Sequence, residues 1–574
     1  MADMKERPKR FLDKIGSILP KQWWIILAVG ILLLLFILLA LPKILPNNNP
    51  VDLYAYYGIS EDDTIVFVDT EQTDIRIIRE EGRLYLPLAS VNEYLNQRFY
   101  EDPESGHVLY TLPDRMDEFT AEKQTYSEGG VSMAAASAPF IIRDGVSYLS
   151  LEIIQKYTRL SYEIFEKPNR IWFRTLFDTD IPYRYAQSSV NLRSGAGYNH
   201  PVVSEEREGS SFIPIEDEGK WVRVFARDGH IGYVPKKSVG EPVMIQTSGA
   251  FFEEQEYGTD QMSGKVSAGF DYIDDISYGL DMLKLHLSAK EAVNVVVPTW
   301  FVLQGEGGEF TSCADPEYVE LAHRNGLKVW VMLENITGHV SSMELFSSRS
   351  ARKNLIRNLI AQVEELEVDG INLDIESLTA ESVPHYLEFI RELSMELNGT
   401  GVVLSADTYA PYSWNLKYDL PELAKLLDYV IIMGYDESWD TPGPNSDKDF
   451  ITFCCEESLK VTAKEKLIIA VPFYTRGWAT KDDGTWSRSE INMKKSVVYL
   501  ESSEDKEWLE DKGCWHGHAD VDGVLREIWF EDPESSEIRI GIIAGYDVAG
   551  LAYWRLSQED PTVWESVRSH GFCK

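Results

Sequence analysis

The spacing of apolar and polar positions changes character several times along this chain. From Trp23 to Leu41 no residue is charged and nearly all are apolar, with Lys21 before the run and Lys43 after it. At 1.5 Å per residue such a run nearly spans a hydrocarbon core of roughly 30 Å, so the pattern predicts one transmembrane helix over residues 23–42. Lys5, Arg7, Lys9, Arg10, Lys14 and Lys21 outnumber Asp3, Glu6 and Asp13 in the preceding segment. Basic flanks stay in the cytoplasm, so residues 1–22 are expected inside and everything after Lys43 outside. A cleaved signal peptide has a shorter apolar region and ends in small residues. The exit Leu41-Pro42-Lys43-Ile44 has no such site. The expectation is therefore a single-pass anchor in the cell membrane carrying an extracytoplasmic protein.

Beyond the polar linker Asn47-Asn48-Asn49-Pro50, the period shortens to two. Alternating strands at 83–88 and 146–151 each lead into a short amphipathic helix, at 92–95 and 154–157. Each helix is followed by another strand, Val108–Thr111 and Arg170–Arg174 respectively. This weak internal repeat predicts an α+β stalk domain over 51–182. It resembles the small domains named after the N-terminal part of copper amine oxidases; no histidine cluster is present, so the resemblance implies no copper. From 186 to 240 short strands alternate with turn residues: Val190-Asn191-Leu192-Arg193-Ser194-Gly195, then Trp221-Val222-Arg223-Val224, then Gly232-Tyr233-Val234. These pieces resemble a bacterial Src-homology-3-like barrel. The resemblance implies either binding to the cell wall or to peptides, or a folded spacer.

From residue 262 apolar strands alternate with helical stretches. The strand candidates are 265–270, 293–302, 328–333, 370–376, 402–408, 429–435, 466–473 and 550–556, with helices over 315–325, 347–366 and 382–397. Eight strands with crossover helices predict an α/β fold, a (β/α)₈ TIM barrel filling 262–574. The gap between Arg476 and Gly550 is too long for one crossover, which predicts a small insertion before the last strand, beside the barrel mouth.

Composition narrows the partners. With 574 residues, 44% hydrophobic and 12% aromatic, the chain has material for several cores. A net charge of −38 excludes a phosphate backbone as partner, because nucleic-acid binding needs a basic surface. The five cysteines are few, odd in number and lack metal-ligand spacing, so neither a disulfide framework nor a zinc site is read here.

The chemistry concentrates in Asp369-Gly370-Ile371-Asn372-Leu373-Asp374-Ile375-Glu376. Alternation puts Asn372, Asp374 and Glu376 on one face and Ile371, Leu373 and Ile375 on the other. In a barrel the apolar face meets the helices and the polar face points inward. Burying two carboxylates there costs several kcal/mol unless they are neutralised or hydrogen-bonded, which gives a structural role nothing to gain. Glu376 also falls at the C-terminal end of its strand, where barrel enzymes carry their chemistry.

This octapeptide resembles the D-G-x-D-x-D-x-E motif of glycoside hydrolase family 18, the chitinase-like barrels. Met433-Gly434-Tyr435-Asp436 matches the family's M-x-Y-D on the sixth strand, and Tyr553-Trp554 matches its tryptophan on the eighth. Asn372 departs from the aspartate of many chitinases; the peptidoglycan and spore-cortex-lytic branch often has asparagine there, and Trp529-Phe530-Glu531-Asp532 is similar to that branch too. The resemblance implies catalysis by Glu376, Asp374 and Tyr435: Glu376 as general acid and base, Asp374 holding the acetamido nitrogen, and Tyr435 holding the acetamido oxygen. It further implies substrate contacts from Trp554 and Asp436, and support for Asp374 by hydrogen bonds from Asn372 and Asp369. No cofactor and no metal is required. The implied substrate is an N-acetylated polysaccharide of the cell wall, most directly peptidoglycan, cleaved with retention; a chitinase and a non-catalytic glycan-binding wall protein are the alternatives.

Overall fold

The computed structural model describes residues 27–34, 45–247, 255–257, 260–412 and 418–573. Residues 27–34 are helical; the remainder of the predicted span 23–42 lies outside the described residues, among which no helix is long and apolar enough to cross a membrane. The chain divides into two compact units, residues 1–97 with 143–253 and residues 98–142 with 254–574.

In the first unit, strand Ile65–Val68 runs parallel to Arg170–Arg174, which pairs antiparallel with Ser161–Phe165. The predicted Src-homology-3-like segment forms most of a seven-stranded sheet, in the order 202–206, 190–193, 231–235, 221–226, 211–218, 180–185 and 243–246. Leu192, Phe212, Val222, Val224 and Val234 are fully buried in its core.

The second unit contains the barrel. Its strands are β1 (Val266–Asp271), β2 (Val295–Pro298), β3 (Lys328–Glu334), β4 (Gly370–Asp374), β5 (Val403–Tyr409), β6 (Tyr429–Met433), β7 (Leu467–Pro472) and β8 (Gly550–Trp554). Every neighbouring pair is parallel, and β8 pairs back onto β1, so the sheet closes. Alternation sorts the side chains as the pattern predicts. Val266, Val295, Trp330, Tyr429 and Ile468 pack inside the ring, while Ile371, Leu373, Leu404 and Val430 belong to the layer shared with the helices. One strand is shorter than expected. The predicted 293–302 strand breaks after Pro298, which cannot donate to a ladder, and Phe301–Gln304 instead forms a hairpin with Glu309–Ser312.

The segment between β7 and β8 holds a five-stranded sheet, in the order 486–492, 474–480, 524–529, 514–521 and 507–509, with helix Met493–Ser502. The insertion is therefore where the length of the gap places it.

The two halves of the sequence repeat part company after their helices. Val108–Thr111 is the second strand of a separate five-stranded meander, 100–101 to 131–134, in the barrel's unit. That meander packs on helices α1 (Arg349–Leu366), α2 (Val383–Leu397) and α3 (Leu420–Leu426) through buried charge. Arg352 contacts Asp102 at 3.1 Å and Glu392 at 2.9 Å, and Arg391 bridges Glu388 and Glu422 at 3.1 Å each. Arg98 adds a second guanidinium to Glu422 at 2.8 Å, and Thr111 donates to Glu388 at 2.6 Å.

Candidate active site

The inward face of β4 carries Asn372 and Asp374, with Glu376 just beyond the strand end. Strand register sets their neighbours. Asp374 is level with Glu334 on β3, and the Asn372–Ser405 and Leu373–Ala406 pairings bring Asp407 of β5 beside it. Asp374, Glu334 and Asp407 are only 8%, 6% and 7% exposed. Glu376 is half-buried and is held from two sides. The Asn335 side chain accepts from its backbone N–H at 2.9 Å and donates to its carbonyl at 3.1 Å, while the Tyr409 hydroxyl donates to its carboxylate.

Few donors serve these acids. Asn372 donates to Asp407 and to Ser405 Oγ, both at 3.1 Å, and Glu334 accepts from the backbone N–H of Ile336 and Thr337. Asp374 Oδ1, Glu334 Oε1 and Asn372 Oδ1 are buried without a partner. Burial is the main force on Asp374, Asp407 and Glu376. It drives Asp374 well above the carboxylate range, with the charges of Asp407, Glu376 and Glu334 adding to it. Asp407 is pushed up to about 8 by burial against the lowering hydrogen bond from Asn372. Glu376 is raised by burial and by Asp436 and Glu334, less the effect of the Tyr409 hydroxyl. A carboxyl poised above its usual range is what a general acid at neutral pH requires.

These groups open onto a cleft of about 920 Å³ lined by Asp374, Glu376, Tyr435, Asp436 and Trp554, among others. Five of the seven predicted site residues therefore share one cavity. Tyr435 follows β6, and burial raises its phenol well above the usual value, so it is a donor. Asp436 is anchored by Arg476 at 2.6 Å and by the Tyr474 hydroxyl. Trp554 ends β8, its ring 5.3 Å from that of Phe270.

The other two residues have different partners from those expected. Asn372 is fully buried below the cleft and supports Asp407 rather than Asp374. Asp369 precedes β4 at the opposite end of the strand, where it accepts from Lys328 Nζ at 2.6 Å, from the Val329 N–H at 2.9 Å and shares 2.8 Å with His323. It fastens β3 to β4 far from Asp374. Of the tryptophans near strand ends, Trp439 lines the cleft, half its surface exposed, whereas Trp300 and Trp478 are buried. Tyr418, just before α3, and Tyr474, which opens the strand 474–480 of the insertion, also line it.

Residues 311–559 match the family model of glycosyl hydrolases family 18, and residues 188–240 match that of the bacterial SH3 domain. The uncharacterized glycosylase YvbX of Bacillus subtilis (strain 168) is 22% identical over 317 residues, which cover 53% of this chain and 90% of that protein. The cortical fragment-lytic enzyme of the same organism is 19% identical over 233 residues, 38% of this chain and 54% of that enzyme, so the match spans about half its length. Among solved structures, the Bacillus cereus spore cortex-lytic enzyme SleL is 16% identical with a TM-score of 0.49, over 57% of this chain and 78% of that one.

Proposed function

Because the C-terminal barrel is a glycoside hydrolase family 18 domain, we propose that this protein hydrolyses β-linked N-acetylglucosamine glycans, peptidoglycan above all, by a retaining, substrate-assisted reaction. The observation that carries this reading is the convergence of Asp374, Glu376, Tyr435 and Trp554 on one cleft.

The chemistry follows from their positions. Glu376, protonated, gives its proton to the glycosidic oxygen as the leaving sugar departs. The substrate's own acetamido oxygen attacks the anomeric carbon from the opposite face, so no protein nucleophile is needed. Tyr435 donates to that oxygen and fixes its approach. Asp374 accepts from the acetamido N–H and, once ionised, balances the positive oxazolinium. Trp554 supplies an apolar floor for the sugar face. Glu376, now a carboxylate, takes a proton from water, which opens the intermediate on the face first occupied by the leaving group. The two inversions give net retention.

Peptidoglycan is favoured over chitin by the wall-directed features: the bacterial SH3 domain, Asn372 in the carboxylate strand, and the basic-flanked apolar run over 23–42, which would hold the enzyme on the outer face of the membrane. Incubating residues 51–574 with purified peptidoglycan and with chitin oligomers tests the proposal, using Glu376→Gln as control. New N-acetylglucosamine reducing ends on muropeptides, absent with the variant, are expected. Cleavage of chitin oligomers alone would move the substrate, and binding without cleavage of either would replace catalysis by glycan binding.

A further inference from the structure

The insertion between β7 and β8 turns one face of its sheet toward the cleft. In the strand Trp486–Asn492 exposure alternates. Trp486, Arg488 and Glu490 are exposed on one side, while Ile491 on the other belongs to the insertion's own core. Glu490 accepts from the Gln558 side chain, in the loop after β8, at 3.0 Å. Arg488 donates to the backbone carbonyl of Trp439, in the loop after β6, and its guanidinium lies 3.8 Å from the centre of that residue's ring. Register sets Tyr474 and Arg476 of the neighbouring strand opposite Asn492 and Glu490, hence on the same face, and Tyr474 lines the cleft. Trp439 lines it too, so Arg488 is mounted on a wall of the site.

The charges around that ring are unequal in their commitments. A second guanidinium, that of Arg476, lies 4.7 Å from the Trp439 ring, but it is held by Asp436 at 2.6 Å and by the Asn445 side chain at 2.8 Å. Among the described residues Arg488 has no carboxylate partner, in a chain where acids outnumber bases 93 to 55. Stacking on the ring and one bond to a carbonyl fix its plane, and most of its five N–H donors stay open. The cleft itself is lined by Asp374, Glu376 and Asp436, so a glycan bearing carboxylates is repelled from it unless a cation meets those groups. We infer that Arg488 receives a carboxylate of the glycan, carried by the sugar that lies against Trp439, and that this contact selects acid-bearing wall glycan over neutral chitin. The carboxylate comes from the 3-O-lactyl group of a muramic sugar or from the peptide attached to it. Arg488 is a specificity residue with no part in bond breaking. The inference rests on the glycosidase reading given above, which sets a muramic sugar next to the N-acetylglucosamine being cut.

Three substrates test it on the full chain: peptide-free wall glycan with its lactyl carboxylates exposed, peptide-bearing wall glycan, and chitin oligomers. In Arg488→Gln, kcat/KM should fall about tenfold on an acid-bearing glycan, mainly through KM, as loss of one charge-assisted hydrogen bond implies. On chitin oligomers it should keep the wild-type value. A loss on the peptide-free glycan assigns the lactyl carboxylate, and a loss confined to the peptide-bearing glycan assigns the stem. Methyl esterification of that carboxylate should bring the wild type down to the rate of Arg488→Gln and leave the variant where it was. Arg488→Lys keeps the charge without the fork and should fall between the two. Affinities measured on a Glu376→Gln background read the same preference without catalysis, also on a glycan cleaved too slowly to follow.

An equal loss on chitin oligomers and on acid-bearing glycans overturns the inference, because Arg488 would then act only by holding Trp439. So does an unchanged rate and affinity on all three, or a variant that responds to esterification as the wild type does. A wild type that cleaves none of the glycans, yet binds the acid-bearing one about tenfold more tightly than Arg488→Gln, would leave the carboxylate contact standing and refute the glycosidase reading. Cleavage of wall glycan at the same rate with and without Arg488 would do the reverse.

Discussion

Arg352 and Asp102 meet at 3.1 Å with no exposed surface on either side chain, although 250 residues separate them in the sequence. The contact ties the meander of residues 98–142 to the first long helix of the barrel's outer layer. Tyr100 adds its hydroxyl at 3.3 Å from the same guanidinium, and Glu392 takes the other side. A guanidinium this deep is tolerable only while all of these acceptors are present, since an unpaired buried charge is strongly destabilising.

The meander is therefore part of the catalytic fold. A chain beginning near residue 255 would keep the whole barrel yet remove Asp102 from Arg352, Arg98 from Glu422 and Thr111 from Glu388. Such a chain should express poorly or melt well below residues 51–574. Asp102→Ala in the full chain should cost about 3–5 kcal/mol, the range for breaking one side of a buried pair. Circular dichroism melts of the three proteins check this, and equal Tm values would contradict it.

Acid should act on the same interface through Glu422. Burial raises its carboxyl, but Arg391 and Arg98 outweigh that and hold it at about 2. Its folded value lies below the unfolded value of about 4.3, so its contribution is present above that pH and is lost as pH falls toward 2. The expected loss is on the order of 2–3 kcal/mol. Stability measured by urea unfolding between pH 6 and 3 should fall steeply in the wild type. In Glu422→Gln it should start lower and fall less.

Much of this arrangement is legible in the residue pattern because barrel strands obey a two-residue period. Asn372, Asp374 and Glu376 follow it inward, and Ser405, Asp407 and Tyr409 on β5 repeat it, so the neighbours of the catalytic strand were available by the same reasoning. The period also explains Asp369. It has the parity of Ile371 and Leu373, the helix-facing residues, and it lies at the strand's other end; a motif written as one string hides that geometry. The destination of residues 98–142 was not legible. Its strands alternate as those of the stalk do, and only contacts with Arg352, Glu388 and Glu422, hundreds of residues later, decide which core they join.

Removing the acid should separate chemistry from binding. Glu376→Gln keeps the shape and the clamp from Asn335 but cannot protonate the leaving oxygen, so kcat should fall about 10²–10⁴-fold with KM little changed. Tyr435→Phe removes one donor to the acetamido oxygen and should lower kcat by about 10²-fold. Trp554→Ala strips the floor of the sugar site and should act mainly on KM. Steady-state rates on one defined glycan order the three variants, and a Glu376→Gln enzyme with near-wild-type kcat would move the acid elsewhere.

Asp407 should also make stability depend on pH. Its folded value of about 8 lies above the unfolded value of about 3.9, the opposite of Glu422. A raised carboxyl stabilises the fold fully below the unfolded value and loses that contribution as pH climbs to the folded one. Between pH 4 and 8 the wild type therefore holds an acid that would rather ionise in water. Asp407→Asn has nothing to ionise, and its amide can replace the neutral carboxyl toward Asn372. It should gain about 1–3 kcal/mol at pH 8 relative to the wild type, and little or nothing at pH 4. Thermal melts of both proteins at the two pH values read this directly. A variant that melts lower than the wild type at pH 8 would mean that the aspartate is ionised and paired in the fold, which would exclude a proton held there at neutral pH.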